Sequence, residues 1–239
     1  VLEVNPRGSR TIPFISKVTG VPVAPVATRV MMGESLASQG FEGGLWPRQN
    51  LVGIKAPVFS MGKLVGVDWH LGPEMKSTGE VMGVDRDFAG ALSKALLAAN
   101  LNLTRKMGVL LSIADQHKAE ALDLIKELGQ AGCPLYATEG TAAMIAALGI
   151  QVTVANKRLG EGHPNVVDLI TEGTVGAVIN TLSGDTSVMQ DGFFIRRAAV
   201  ERQIPCFTSL DTARAAVESL LMERGTYSVL RTKEYLEQG

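Results

Sequence analysis

From Met107 onward, short apolar runs alternate with segments of helical periodicity, and this alternation leaves few folds open. Strands are expected at Val109 to Ile113, Leu135 to Thr138, Val152 to Ala155, Ala177 to Thr181 and Pro205 to Thr208. Between or after them, helical spacing falls at Gln116 to Ala131 (closed by Gly132), Thr141 to Leu148, Asn165 to Glu172, Thr186 to Arg202 and Asp211 to Glu223. A strand that must cross over a helix before its successor pairs parallel to it, and consecutive crossovers share one hand. The pattern therefore predicts an α/β unit of about 130 residues built on a doubly wound parallel sheet.

Upstream the texture differs, with frequent Gly and Pro and fewer clear elements. Val1 to Asn5 alternates as a strand does. Ala24 to Ala37 carries Val26, Val30 and Met31 at helical spacing. Ala56 to Ser60 reads as a short strand whose Pro57 places it near a sheet edge. Asp87 to Asn100 is an amphipathic helix with Asp85 or Asp87 as its N-cap. The change of texture near residues 100 to 106 predicts two domains, 1–103 and 104–239. A chain that opens on Val1 in mid-strand is expected to be part of a longer protein. With 46% hydrophobic and 20% charged residues, each part can build a packed core. The formal net charge of -1 argues against general nucleic-acid binding, which needs a basic surplus to release counterions. Cys133 and Cys206 stand far apart and outside any metal-binding spacing, and both are expected to be buried, small apolar residues of a reducing compartment. No apolar stretch reaches the about 18 residues that cross a bilayer, so a cytoplasmic location is expected.

Two regions carry chemistry. On a strand, Glu3 and Asn5 project from the same face, and paired oxygen ligands of this kind suit Mg²⁺ or Mn²⁺ beside phosphate. Arg7 and Arg10 follow, with guanidiniums able to neutralise phosphate oxygens by forked hydrogen bonds; a solvated strand face with a loop ion pair is the alternative. In the second region, Thr138-Glu139-Gly140-Thr141 joins a strand to a helix, where backbone N–H groups and hydroxyls make an anion site. The same motif also reads as a simple helix cap. Lys118 opens the helix after the first parallel strand, Lys157 follows the third, and Asn180-Thr181-Leu182-Ser183-Gly184 follows the fourth. Such loops leave a parallel sheet at one edge, the carboxyl ends of the strands, where ligands of these folds bind.

Longer blocks carry a resemblance. Glu3-Val4-Asn5-Pro6-Arg7, Arg10-Thr11-Ile12-Pro13-Phe14-Ile15-Ser16-Lys17, Thr19-Gly20-Val21-Pro22 and Leu71-Gly72-Pro73-Glu74-Met75-Lys76-Ser77-Thr78-Gly79-Glu80-Val81-Met82-Gly83 resemble the end of the second ATP-grasp domain of the carbamoyl phosphate synthetase large-subunit family. Leu110-Leu111-Ser112-Ile113, Ala137 to Ala142, Val154-Ala155-Asn156-Lys157 and Ile179-Asn180-Thr181 resemble that family's methylglyoxal synthase-like regulatory domain. The resemblance implies a glutamine-dependent ligase in which Glu3 and Asn5 hold Mg²⁺ or Mn²⁺ against ATP, while Arg7 and Arg10 face phosphate and carbamate. It further implies that Lys118, Thr138, Gly140, Thr141, Lys157, Asn180 and Thr181 bind an effector nucleotide such as UMP. Expected partners are the rest of the large subunit and a glutaminase small subunit, with oligomerisation through the C-terminal domain and no nucleic acid or membrane. The family's nucleotide-gripping lysines lie upstream of this chain, so no synthetase activity is expected from it alone.

Departures narrow the expectation. Leu182 stands where a second hydroxyl often meets the nucleotide, and Ala56 and Cys206-Phe207-Thr208 replace residues associated with ornithine activation. Methylglyoxal synthase itself would need a catalytic Asp and His. Here the stretch after the third parallel strand reads Leu159-Gly160-Glu161-Gly162-His163-Pro164-Asn165, and His163 is expected to be structural. A purely structural or oligomerising module without an effector is the other alternative.

Overall fold

The computed structural model describes residue 4 and residues 6–59, 75–156, 162–182, 186–222 and 227–237. The expected strand Val1 to Asn5 lies almost wholly outside them.

The upstream part opens with α1 (Thr11–Thr19), a helix ended by Gly20, whose φ of 75° is the left-handed conformation that satisfies a C-terminal carbonyl. Next comes α2 (Val23–Met31). The expected helix to Ala37 stops short there, because Gly33 takes φ 98° and the chain turns before a short 3-10 helix at Ala37–Gln39. Strands β1 (Val52–Val58) and β2 (Gly79–Asp85) pair antiparallel, with Ile54 opposite Gly83 and Pro57 opposite Glu80. β1 is longer than the expected strand, and β2 is a strand not expected from the sequence. A two-stranded sheet has only edges, so Pro57 costs no ladder bond on its outer side. Helix α3 (Phe88–Ala98) begins at Asp87, whose carboxylate accepts from the Gly90 N–H at 2.8 Å, as the sequence predicts. α3 lies directly on β2: a methyl at Gly83 would stand 2.1 Å from the Ala91 carbonyl oxygen and 2.4 Å from the Ala95 nitrogen. Glycine is what allows strand and helix backbones to touch.

The downstream part is the expected α/β unit. Its strands are β3 (Val109–Ser112), β4 (Leu135–Thr138), β5 (Thr153–Ala155), β6 (Ala177–Asn180) and β7 (Cys206–Phe207). All pairings are parallel, in the order β5-β4-β3-β6-β7. Helices α4 (Lys118–Gln130), α5 (Glu139–Ala147), α6 (Val166–Thr171), α7 (Thr186–Glu201) and α8 (Leu210–Leu221) connect or follow the strands. A 3-10 turn at Asp115–His117 takes the start of the expected first helix, and Glu139 rather than Thr141 begins α5.

Buried strands alternate their side chains between two cores. Leu111 and Ile179 face Leu124, Ile125 and Leu128 of α4 and Val217 and Leu220 of α8. Leu110 and Val178 face Leu169 and Ile170 of α6 and Ile195 and Ala199 of α7. Leu92 and Leu96 of α3 join the first core, so α3 packs both on β2 and on the parallel-sheet unit. Cys133 is buried and Cys206 only half-buried, a correction to the expectation of two buried thiols; neither forms a disulfide. β7 lies at the sheet edge, which leaves Cys206 partly uncovered.

A last helix, α9 (Thr232–Glu237), was not legible from periodicity. It returns to the upstream part, where Leu236 lies against Gly20 and Tyr235 is 2% exposed. Arg86 donates to the Tyr235 carbonyl at 2.7 Å, Lys94 donates to the Tyr235 hydroxyl at 2.9 Å, and both cations lie over the tyrosine ring. Lys94 also pairs with Asp85 at 2.7 Å. Burial lowers the Lys94 pKa, but its hydrogen bonds to Asp85 and Tyr235 outweigh burial and leave it raised. Among the described residues no helix is long and apolar enough to cross a membrane.

Candidate functional site

The strand order reverses at β3, because β4 lies on one side of it and β6 on the other. The helices that follow β3 and β6 lie on opposite faces of the sheet, and the carboxyl ends at such a reversal are where a ligand crevice is usual. Hydrogen bonds tie its walls together. The Thr141 hydroxyl, at the start of α5, accepts from the Ile113 N–H at 3.1 Å. The Thr181 hydroxyl, after β6, accepts from the Ala114 N–H at 2.8 Å. Gln116 donates to the Leu182 carbonyl at 3.2 Å, and the Asn180 amide to the Ser112 carbonyl at 3.4 Å. The loop after β3 is therefore clamped from both sides by side chains of the two neighbouring strand ends.

The electrostatics of this crevice favour an anion. Thr138 takes the N-cap position of α5, yet its side chain accepts no cap hydrogen bond. Its hydroxyl points instead to Thr141 at 3.4 Å. The cap reading of Thr138-Glu139-Gly140-Thr141 is thereby corrected: the helix-opening N–H groups are not closed by the Thr138 side chain. Lys118 reaches over this same helix end; a methyl on Gly140 would lie 3.2 Å from its Nζ. An ammonium beside the positive end of a helix is repelled by it unless negative charge lies between or beside them. Asp115 supplies part of that charge by pairing with Lys118 at 2.7 Å, but its side chain is 93% exposed.

Of the residues expected at this site, the structure brings together Lys118, Thr138, Gly140, Thr141, Asn180 and Thr181. Lys157 lies outside the described residues. Thr141 and Thr181 are buried, and their hydroxyls accept from loop N–H groups, so they shape the crevice from below. Three residues beside these were not legible in the sequence. Asp115 and Gln116 sit in the 3-10 turn, and no spacing rule marks such a turn. Arg196 is buried in α7, where an arginine reads as a solvated position unless its partner is known.

At the other end of the chain, Arg7 and Arg10 are exposed, just before and at the N-cap of α1. Arg7 donates to the neighbouring Gly8 carbonyl at 3.4 Å, a long contact. Two exposed guanidiniums beside a helix N-terminus fit a phosphate-bearing ligand. Glu3 and Asn5, the expected metal ligands, lie outside the described residues, as do Leu71 to Glu74 of the second N-terminal block.

His163 lies at the start of α6, with Nδ1 2.5 Å from Asp168. Asp168 also accepts from the Asn165 N–H at 3.0 Å, while Asn165 accepts from the Val167 and Asp168 N–H groups. This reciprocal capping box of Asn165 and Asp168 opens α6, and the exposed His163 ring meets its Asp168 carboxylate. The Asn165 N–H first, and His163 second, hold the Asp168 carboxyl below its ordinary range.

Comparison with known proteins agrees with both parts. Residues 120–208 match the family described as MGS-like domain, and residues 1–39 match the carbamoyl-phosphate synthase L chain, ATP binding domain. The carbamoyl phosphate synthase large chain of Thermomicrobium roseum is 58% identical over 229 residues, which cover 96% of this chain. This chain belongs to the carbamoyl phosphate synthase large-chain family. It spans 21% of the length of that relative, so it corresponds to about a fifth of such a large chain. The fold follows from the family: an ATP-grasp tail joined to an MGS-like domain with a five-stranded parallel sheet.

Proposed function

We propose that the MGS-like part, from about residue 104, binds a nucleotide monophosphate such as UMP as an allosteric effector of the ligase to which the chain belongs. The supporting observation is the convergence of the Lys118 ammonium on the N-terminus of α5, two positive groups that an effector's phosphate would bridge. Asn180 at the end of β6, with Lys157, which follows β5 in sequence, would meet the sugar or the phosphate. Thr138, buried beside Thr141, would line the same site from below.

The upstream part, to about residue 103, supplies in this reading one wall of the site that phosphorylates carbamate with ATP. Glu3 and Asn5 would hold Mg²⁺ or Mn²⁺, which supplies charge neutralisation between the ATP phosphates when bound. Arg7 and Arg10 would orient phosphate and carbamate oxygens by forked hydrogen bonds. The remainder of the large chain and a glutaminase small subunit would complete the enzyme in the cytoplasm.

Calorimetric titration of this chain with UMP and with IMP, using Lys118→Ala as control, tests the effector site. Micromolar binding that is lost in the variant supports it. Absence of heat with either nucleotide, from a chain whose fold is verified by circular dichroism, refutes effector binding by this chain and favours a structural or oligomerising role.

A further inference from the structure

Arg196 has no role in the reading above, yet its placement is costly. It is 0% exposed, and a guanidinium in a protein interior forfeits several kcal/mol of hydration that its partners must return. An apolar side chain of similar volume commonly serves packing as well or better, so packing alone does not account for an arginine there. Its Nη1 donates to Asn180 Oδ1 at 2.9 Å. Gly192, one turn earlier in α7, gives the guanidinium its path: a methyl there would stand 2.6 Å from Nη1 and 3.2 Å from Asn180 Oδ1. The side chain folds back over position i−4, the direction helical side chains lean, and only a residue without Cβ leaves that space free.

This contact fixes which end of the Asn180 amide is presented to the crevice. A guanidinium has donors and no acceptor, so the amide atom facing it must be the oxygen. Oδ1 is thereby occupied by a charged donor, and Nδ2 is left as the donor end of the amide. One Nδ2 hydrogen meets the Ser112 carbonyl at 3.4 Å, a long contact, and in this reading the other is the one that a ligand would meet.

Resting on the effector reading, we infer that Arg196, given room by Gly192, is a positioning residue that locks Asn180 as a hydrogen-bond donor. The crevice thus reads an acceptor on its ligand at this point, a phosphate, sugar or carbonyl oxygen. A free amide, by contrast, can turn over and accept.

The test is calorimetry of UMP binding by the full chain and by Arg196→Met, Gly192→Ala, Asn180→Ala and the Arg196→Met/Asn180→Ala double variant, with thermal melting of each. Loss of one oriented hydrogen bond is expected to weaken UMP by roughly tenfold in Arg196→Met and in Gly192→Ala. Arg196→Met is expected to add no further loss in the Asn180→Ala background. The Asn180 side-chain amide resonances are expected to shift in both positioning variants without ligand, a change that a merely structural role would not give. Gly192→Ala keeps the charge and meets side-chain ends of Arg196 and Asn180 rather than backbone, so it decides the matter if Arg196→Met does not fold. Wild-type affinity in the folded positioning variants overturns the inference while leaving the effector reading intact. Additive losses in the double variant also overturn it, since Arg196 would then act independently of Asn180. Failure of the wild-type chain to bind UMP or IMP overturns the effector reading itself.

Discussion

Gly140→Ala separates the fold from the proposed effector site, because the structure assigns the two opposite responses. Gly140 is the second residue of α5, is exposed, and does not adopt a positive φ. Alanine is favoured over glycine inside a helix by up to about 1 kcal/mol, and by less in the first turn. Against this stands a single close contact: the new methyl would lie 3.2 Å from Lys118 Nζ, the mobile end of a long side chain, which need move only a few tenths of an ångström. Disturbing the Lys118–Asp115 pair costs little, since partly exposed pairs contribute roughly 0–1 kcal/mol. Stability is therefore expected to change by no more than about 1 kcal/mol in either direction, which for a chain of this size is a shift of Tm within about 4 °C. Binding should respond differently. The methyl stands between the ammonium and the first N–H groups of α5, where the phosphate would sit, and pushes the two apart. Losing one charge-assisted hydrogen bond corresponds to about 1.5–3 kcal/mol, or roughly 10- to 150-fold in Kd. Differential scanning calorimetry with titration of UMP into both proteins measures the pair of effects. An unchanged Kd for UMP in a Gly140→Ala chain that melts normally would show that the anion does not sit between Lys118 and α5.

Two further outcomes are expected. Gly83→Ala should destabilise the contact of β2 with α3 by about 1–3 kcal/mol or more, because the clashing atoms are backbone and cannot swing aside. Urea unfolding of the variant measures it, and a loss below about 0.5 kcal/mol would mean that helix and strand separate easily. Asp168, whose folded pKa is lowered, contributes stability that is present above its unfolded pKa of about 3.9 and is lost as pH falls through the lower folded value. The difference in melting temperature between wild type and Asp168→Asn should therefore be open at pH 5 and narrow progressively below about pH 4; a difference that persists unchanged to pH 2 would exclude the linkage.

The parallel sheet was legible because its cause is local and repeated. Runs such as Val109-Leu110-Leu111 and Ala177-Val178-Ile179 are apolar on both faces, as strands covered by helices on both sides must be. Once strand and helix alternate, the handedness of crossovers leaves little choice of topology. The loops bearing Lys118, Thr138 and Asn180 follow from that topology, so their meeting at one edge could be expected from order along the chain. β2 and α9 were not legible for an equally physical reason. The stretch Gly79–Asp85 carries two glycines and few β-branched residues, and becomes a strand by pairing with β1 and lying under α3. α9 is a six-residue helix held by Arg86, Lys94 and the burial of Tyr235, partners more than 140 residues away in sequence. Arg196 is the sharpest case. Its residue type predicts solvent, yet the path opened by Gly192 and the acceptor offered by Asn180 help hold its guanidinium in the interior. Periodicity and residue order determined the sheet and which loops share its edge, because those depend on neighbours in the chain. The direction in which each polar group points depends on what packs against it, and that the tertiary structure alone decided.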